Sequence, residues 1–361
     1  MQRRTGWSRR LALRAVLALG VVGCAESFPQ TTLLPRGDFA RMVDTLFRTT
    51  FWWAVAVFVL VEGALLIAIF RFRARPGAPA PKQFHGGTLL EVIWTVIPAF
   101  ILSMIAVPTV QTIFRTSVSP AAPAVEVEVI GHQWWWEYRY PKLGVVTANE
   151  LHVPVAQTVA LKMWSADVIH SFWFPQVAAK RDVFPSSTNP KAKKYTPLWF
   201  TADSTGVYSG QCAEFCGIQH GRMGLRVIVD TPEQFAAWVS RQRVGSPLVN
   251  GGKLEPAADS ALKADTVIAK GATAFVGAGC IACHAMVGTP LAGQLGMKGP
   301  NLSHVGSRLT IAAGMLENTP SNLARWLRDP QSVKQGSLMV LPRSLTEPEI
   351  ATLVAYLRAH Q

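Results

Sequence analysis

The sequence predicts a multidomain chain: a two-helix transmembrane hairpin, then an all-β barrel, then an all-α C-terminal domain. Three observations carry that expectation. Residues 50–70 and 90–112 are nearly unbroken apolar runs. Each is about 20 residues, enough to cross a hydrocarbon core of about 30 Å. Val125, Val127 and Val129 alternate with Glu126 and Glu128, the period of a strand with one buried face. Beyond residue 265 the apolar positions turn helical, closing on Ile350, Leu353, Val354 and Leu357.

The elements follow in order. Arg3, Arg4, Arg9, Arg10 and Arg14 precede an apolar run over 15–22 and then Gly23-Cys24. A basic region before a short apolar run reads as a secretion signal, here 1–23. Its ending resembles a bacterial lipobox, which would make Cys24 the lipid-modified first residue; the alternative is a buried cysteine behind an uncleaved anchor. Residues 24–118 hold the N-terminal segment and the hairpin, with helices expected at about 48–71 and 89–113. Arg71, Arg73, Arg75 and Lys82 lie in the short connection, which is therefore expected on the cytoplasmic side. Everything after Arg115 then faces outward. Glu62 and Glu91 lie in or at the edge of the apolar segments, where a carboxylate is costly and so functional or partnered.

The β domain is expected over 119–243. Ser119-Pro-Ala-Ala-Pro123 breaks the second helix, and further β-rich runs occupy 150–155, 159–164, 198–202 and 225–229. Thr231 and Pro232 read as N-cap and first residue of a helix. Residues 185–197, with Lys191, Lys193 and Lys194, read as a solvated loop, with contact to a partner as the alternative. A linker rich in Gly, Pro, Ser and Ala covers 244–264. The C-terminal domain, 265–361, shows helical patterns at 268–275 and 322–327. A last helix begins near Thr346, whose partner Glu349 completes a capping-box pattern.

At 361 residues, two or three domains are expected. The 49% hydrophobic and 16% charged content fits membrane segments better than a wholly soluble chain. The net charge of +13 does not indicate nucleic-acid binding, because five arginines sit in the signal and four more basic residues in the hairpin loop.

Chemistry is concentrated in Cys212-Ala-Glu-Phe-Cys216-Gly-Ile-Gln-His220-Gly-Arg-Met223. Two thiolates, an imidazole and a thioether recur there at intervals of four, four and three. Thiolate and thioether are soft ligands that select copper(I) or zinc, and imidazole suits copper. His170 is well placed to add a second imidazole. A zinc knot rarely recruits Met, and a Cys212–Cys216 disulfide is the other alternative. Cys280-Ile-Ala-Cys283-His284 is a c-type haem attachment motif, with two thiols for the vinyl groups and an axial imidazole. For the opposite haem face, Met286 is sterically excluded and Met297 also lies near, which leaves Met315 and Met339.

The copper loop resembles the binuclear CuA loop of subunit II of haem–copper cytochrome c oxidases. Glu91-Val-Ile-Trp94-Thr-Val-Ile-Pro98, Gly131-His-Gln-Trp-Trp-Trp-Glu-Tyr-Arg-Tyr140 and the His170 segment resemble the same family in the same order. The C-terminal part is similar to the fused cytochrome c domain of caa-type oxidases, including Gly299-Pro-Asn-Leu302 and Leu353-Val-Ala-Tyr-Leu357. The resemblance implies a cupredoxin barrel and a cytochrome c domain. It implies that His170, Cys212, Cys216, His220 and Met223 hold two copper ions by side chains and Glu214 by its carbonyl, with the Glu214 carboxylate on a magnesium ion shared with subunit I. It further implies Trp134 as the electron-entry residue, Glu91 at the mouth of a proton channel, and one covalent haem c held by Cys280, Cys283, His284 and Met339. The family usually has Pro directly after that Met, whereas Val340 follows here. Expected partners are oxidase subunits I and III, a cytochrome c or other donor, and membrane lipid, in a bacterial inner membrane with both redox domains outside. Electrons would pass from donor to haem c, to copper, and on to subunit I, where oxygen is reduced. A module serving a nitrous or nitric oxide reductase, a quinol-oxidase subunit II and a copper chaperone are the rival readings. Glu91 and the hairpin, the copper ligands, and the haem motif weigh against them in turn.

Overall fold

The computed structural model describes residues 28–73, 76–77, 86–118, 120–187, 194–243, 266–286 and 298–361. The expected leader, Cys24, the linker, and Lys191 and Lys193 lie outside the described residues.

Two long helices, α1 (Asp38–Arg71) and α2 (Thr88–Ser117), form the hairpin. Both are long and apolar enough to cross a membrane. The expectation placed the first helix at about 48, but it begins at Asp38. Hydropathy marks only lipid-facing turns, whereas the first turns of α1 are polar outside and packed inside. There Phe39 and Ala40 are buried and Arg48 bonds Asp44 one turn back. Asp38 accepts a hydrogen bond from the Thr201 amide at 2.8 Å, which pins the start of α1 to the β domain. The helix α2 likewise extends past 113 to Ser117, and Arg181 reaches the Thr116 carbonyl at 3.4 Å.

The β domain is built from β1 (Val125–His132), β2 (Trp135–Tyr140), β3 (Val145–Ala148), β4 (Glu150–Pro154) and β5 (Thr158–Ser165), followed by β6 (His170–Trp173), β7 (Arg181–Val183), β8 (Thr196–Thr201), β9 (Gly206–Cys212) and β10 (Gly224–Asp230). They form two five-stranded sheets, ordered β3-β2-β1-β5-β8 and β4-β10-β9-β6-β7. Strand β1 shows the expected alternation, with Val125, Val127 and Val129 inside. The core between the sheets holds Trp136, Tyr138, Phe172 and Phe200, and the Trp136 and Phe172 rings meet edge-on at 4.8 Å. This is a cupredoxin-like domain. Helix α3 (Pro232–Arg243) closes it, capped by Thr231, whose hydroxyl accepts from the Gln234 amide at 3.2 Å.

The C-terminal domain packs α4 (Thr266–Gly277) against α7 (Glu347–Ala359), with α5 (Pro320–Arg328) and α6 (Pro330–Val333) beside them. Phe275, Leu323, Leu353 and Tyr356 share its core. The capping box is present: the Thr346 amide donates to Glu349 at 2.8 Å and its side chain caps the Glu349 amide. A two-stranded hairpin, β11 (Thr310–Ile311) and β12 (Leu316–Glu317), faces the β domain. There the Gly224 amide donates to the Ala313 carbonyl at 2.9 Å.

Candidate metal centre and haem cleft

Strand β9 delivers Cys212 at its last residue, the loop between β9 and β10 carries Cys216, His220 and Met223, and β6 delivers His170 at its first residue. Strand β9 was not expected; it ends at Cys212 and fixes that thiol against β6, where Phe172 pairs with Cys212. The ligand atoms of His170, Cys212 and Cys216 lie within 4.8 Å of one another, all buried. The sulfur of Cys212 is 3.7 Å from that of Cys216, 3.9 Å from His170 Nδ1 and 3.3 Å from the Glu214 carbonyl oxygen. On the other side, Cys216 Sγ is 3.8 Å from His220 Nδ1 and 3.9 Å from Met223 Sδ. A disulfide requires about 2.05 Å between sulfurs, so the thiols are free. The donor set is soft and converges on one small volume, which fits copper. The Glu214 side chain points to solvent.

The surroundings orient this set. Burial alone would lower the His170 imidazole; its hydrogen bond to Asp167 at 2.8 Å and the neighbouring Cys212 outweigh that and raise it. With Nε2 committed to Asp167, Nδ1 faces the thiols, as an outer carboxylate arranges in many metal sites. Asp167 also accepts from the Gln133 amide at 2.6 Å. Burial would raise its carboxyl, but these bonds hold it below the ordinary range. The two thiols lie 3.7 Å apart and act on each other: contact with Cys216 holds the Cys212 thiol low despite burial, while contact with Cys212, together with burial, pushes the Cys216 thiol up. Gly131 permits the close packing, since a Cβ there would sit 2.8 Å from His170 Cδ2.

The aromatic triplet divides its duties. Trp136 is core. Trp135 stacks on His132, with ring centroids 4.2 Å apart. Trp134 donates its indole N–H to the Cys216 carbonyl at 2.9 Å, a carbonyl that Gln133 Nε2 also reaches at 2.9 Å. His132 bonds Glu137 at 3.0 Å and does not reach the thiol cluster.

Trp134 also lines a cleft in the C-terminal domain, together with Cys280, Cys283, His284 and Met339. His284 Nδ1 donates to the Pro300 carbonyl at 2.8 Å, which leaves Nε2 as the lone-pair nitrogen. Burial lowers its basicity, which favours the neutral ring that can bind iron. A Cβ on Gly299 would lie 2.5 Å from His284 Cε1, so only glycine leaves the ring its place. Of the two methionine candidates, Met339 lines the cleft, whereas Met315 is 38% exposed and lies outside its lining. Met286 is buried and within 3.8 Å of the Tyr356 hydroxyl. These residues fit a covalent haem. Glu91 sits in the first turn of α2, exposed at the hairpin end opposite the β domain. Glu62 lies in the last third of α1.

Fold and donor sets define a chain with two helices long and apolar enough to cross a membrane, which joins a cupredoxin-like domain to a helical domain whose cleft fits a haem. Comparison with known proteins agrees. Residues 38–112 match the transmembrane domain of cytochrome c oxidase subunit II, 144–230 its periplasmic domain, and 268–361 cytochrome c. Cytochrome c oxidase subunit 2 of Alkalihalophilus pseudofirmus is 34% identical over 98% of this chain and 96% of its own length. That of Bacillus sp. strain PS3 is 37% identical, over 97% and 96%. Among solved structures, the periplasmic domain of subunit II from Bradyrhizobium japonicum is 29% identical over 35% of this chain and 97% of its own, with a TM-score of 0.32. The chain belongs to the cytochrome c oxidase subunit 2 family, in the form that carries a fused C-terminal cytochrome c domain. It is thus an oxidase subunit with a general role in electron transfer, and its domains imply copper and haem.

Proposed function

We propose that this subunit is the electron entry of a proton-pumping terminal oxidase. Cys280 and Cys283 would attach a haem c, His284 and Met339 would bind its iron, and the group would take electrons from an external donor, a cytochrome c or equivalent. The next site is a binuclear copper centre held by His170, Cys212, Cys216, His220, Met223 and the Glu214 carbonyl. Subunit I receives the electron and reduces oxygen to water; subunit III completes the complex. When bound, the copper pair supplies a one-electron site of low rearrangement cost. The chain's own residues hold that geometry: Asp167 fixes His170, and Trp134 and Gln133 fix the Cys216 carbonyl.

The observation that carries this reading is Trp134, which touches the Cys216 carbonyl and lines the haem cleft. It is the residue through which the two centres would communicate. The Glu214 carboxylate points away from the thiols and would take a magnesium ion shared with subunit I. The hairpin spans the bacterial inner membrane twice, with its basic connection inside, both redox domains outside and Cys24 as a lipid anchor. Metal analysis of the copper-loaded isolated subunit tests the reading: two copper per covalent haem are expected, and one copper per haem would overturn the binuclear assignment.

Glu91, at the cytoplasmic edge, would collect protons for subunit I, which an apolar side chain cannot do. In an assembled complex, Glu91→Ala should slow oxygen reduction while the copper and haem c spectra stay normal. Unchanged turnover would reduce Glu91 to a structural residue.

A further inference from the structure

The seam between the β domain and the C-terminal domain is held at two separated points by buried charged side chains. At one, Glu150 on β4 is 2% exposed, and its carboxylate accepts from the Leu309 amide at 3.0 Å, the Thr310 amide at 2.8 Å and the Thr310 hydroxyl at 3.0 Å. Next to it Ala312 and Ala313 take left-handed backbone angles, φ 53° and 58°. Alanine avoids that region unless its surroundings impose it. Here Ala313 is clamped by the Gly224 amide and packs on Trp135 and Ala148.

At the other point stands Lys334, directly after α6. It is 4% exposed, and its ammonium donates to the main-chain carbonyl of Trp134 at 2.9 Å. Burial of an ammonium is costly, and it pushes this one down to about 7. Yet the donor is spent on neither its own domain nor solvent. It is spent on the residue whose indole N–H holds the Cys216 carbonyl and whose ring lines the haem cleft. Trp134 is therefore gripped from both domains at once.

We propose that Lys334 is a positioning residue: with Glu150 at the far point of the seam, it locks the haem domain in one pose over Trp134, so that electron transfer to the copper site needs no docking step. This rests on the electron route proposed above. One electron crosses, taking the haem iron from ferrous to ferric and reducing the copper pair by one equivalent; no bond is made or broken and no proton moves. Tunnelling falls steeply with separation, so a fixed seam sets the rate.

The test uses the assembled oxidase, with one electron delivered photochemically to the haem. In the unmodified protein, transfer to copper should be independent of solvent viscosity. Lys334→Met keeps the buried stem and removes the donor. It should slow transfer, by up to the roughly 10²-fold that a misplacement of about 1 Å can cost in other reactions. It should also make the rate viscosity-dependent, with the haem Met–iron band and the copper spectrum unchanged. Amide exchange over 309–314 should rise at the same time, a readout that needs no turnover. Should Lys334→Met fail to assemble, Glu150→Gln is expected to produce the same viscosity dependence from the other end of the seam. A viscosity-independent, undiminished rate in the variants would overturn the proposal. So would a slowed rate accompanied by loss of the haem Met–iron band, the mark of a merely structural role. If no electron reaches copper even in the unmodified protein, the route itself fails, and this inference with it.

Discussion

Replacing Cys216 by Ser should abolish the copper centre, leave the haem covalently attached, and stop oxygen consumption. Cys216 is the hub of the cluster: its sulfur is 3.7 Å from Cys212, 3.8 Å from His220 and 3.9 Å from Met223. A hydroxyl in that place is a hard, weakly acidic donor that cannot replace a thiolate shared by soft metal ions. Loss of an outer partner alone typically lowers metal affinity roughly 10–100-fold, so loss of a central sulfur should cost more. The haem residues sit on a separate domain with its own core. The haem should therefore still be reduced by the donor, and the electron should stop there. Copper content and steady-state oxygen uptake read the two halves separately. Full turnover in this variant would contradict the order of electron flow.

Met339→Leu is expected to keep the haem bound through Cys280 and Cys283 but to strip it of its sulfur ligand. Leucine fills much of the same space, so the cleft should persist. His/Met ligation raises the potential of a c-type haem. Its loss should lower the potential by on the order of 100 mV, a fraction of the about 0.8 V range that axial ligands span. Optical titration would show both the fall and the disappearance of the Met–iron charge-transfer band. Survival of the band, with loss on Met315→Leu instead, would transfer the assignment to Met315 despite its position outside the cleft lining.

How much could be read from the sequence depended on how local each signal was. The hairpin was legible because hydropathy reports lipid exposure residue by residue. The start of α1 at Asp38 was not, since its first turns are polar and owe their helix to packing on the β domain. Strand β1 was legible by alternation. Strand β2 was obscured because five of its six residues are buried on both faces. Strand β9 was obscured by Gly206 and Gly210, poor strand formers that weaken the pattern. The thiol loop announced itself within one turn of chain, and the haem motif likewise. The bond from His170 to Asp167, three residues earlier in the chain, gives the acidic turn beside the cluster its geometry. Lys334 and Glu150 carried no signal at all: their partners lie 200 and about 160 residues away, and a lone Lys or Glu reads as solvated surface.

The central claim is that Cys212 and Cys216 hold two copper atoms as one electron-accepting unit. The most direct measurement is the electron paramagnetic resonance spectrum of the oxidised, copper-loaded subunit. One unpaired electron shared equally by two copper nuclei, with hyperfine structure from both, is the expected result. A spectrum with hyperfine structure from a single copper, together with the intense absorption of one copper–cysteine bond, would contradict it.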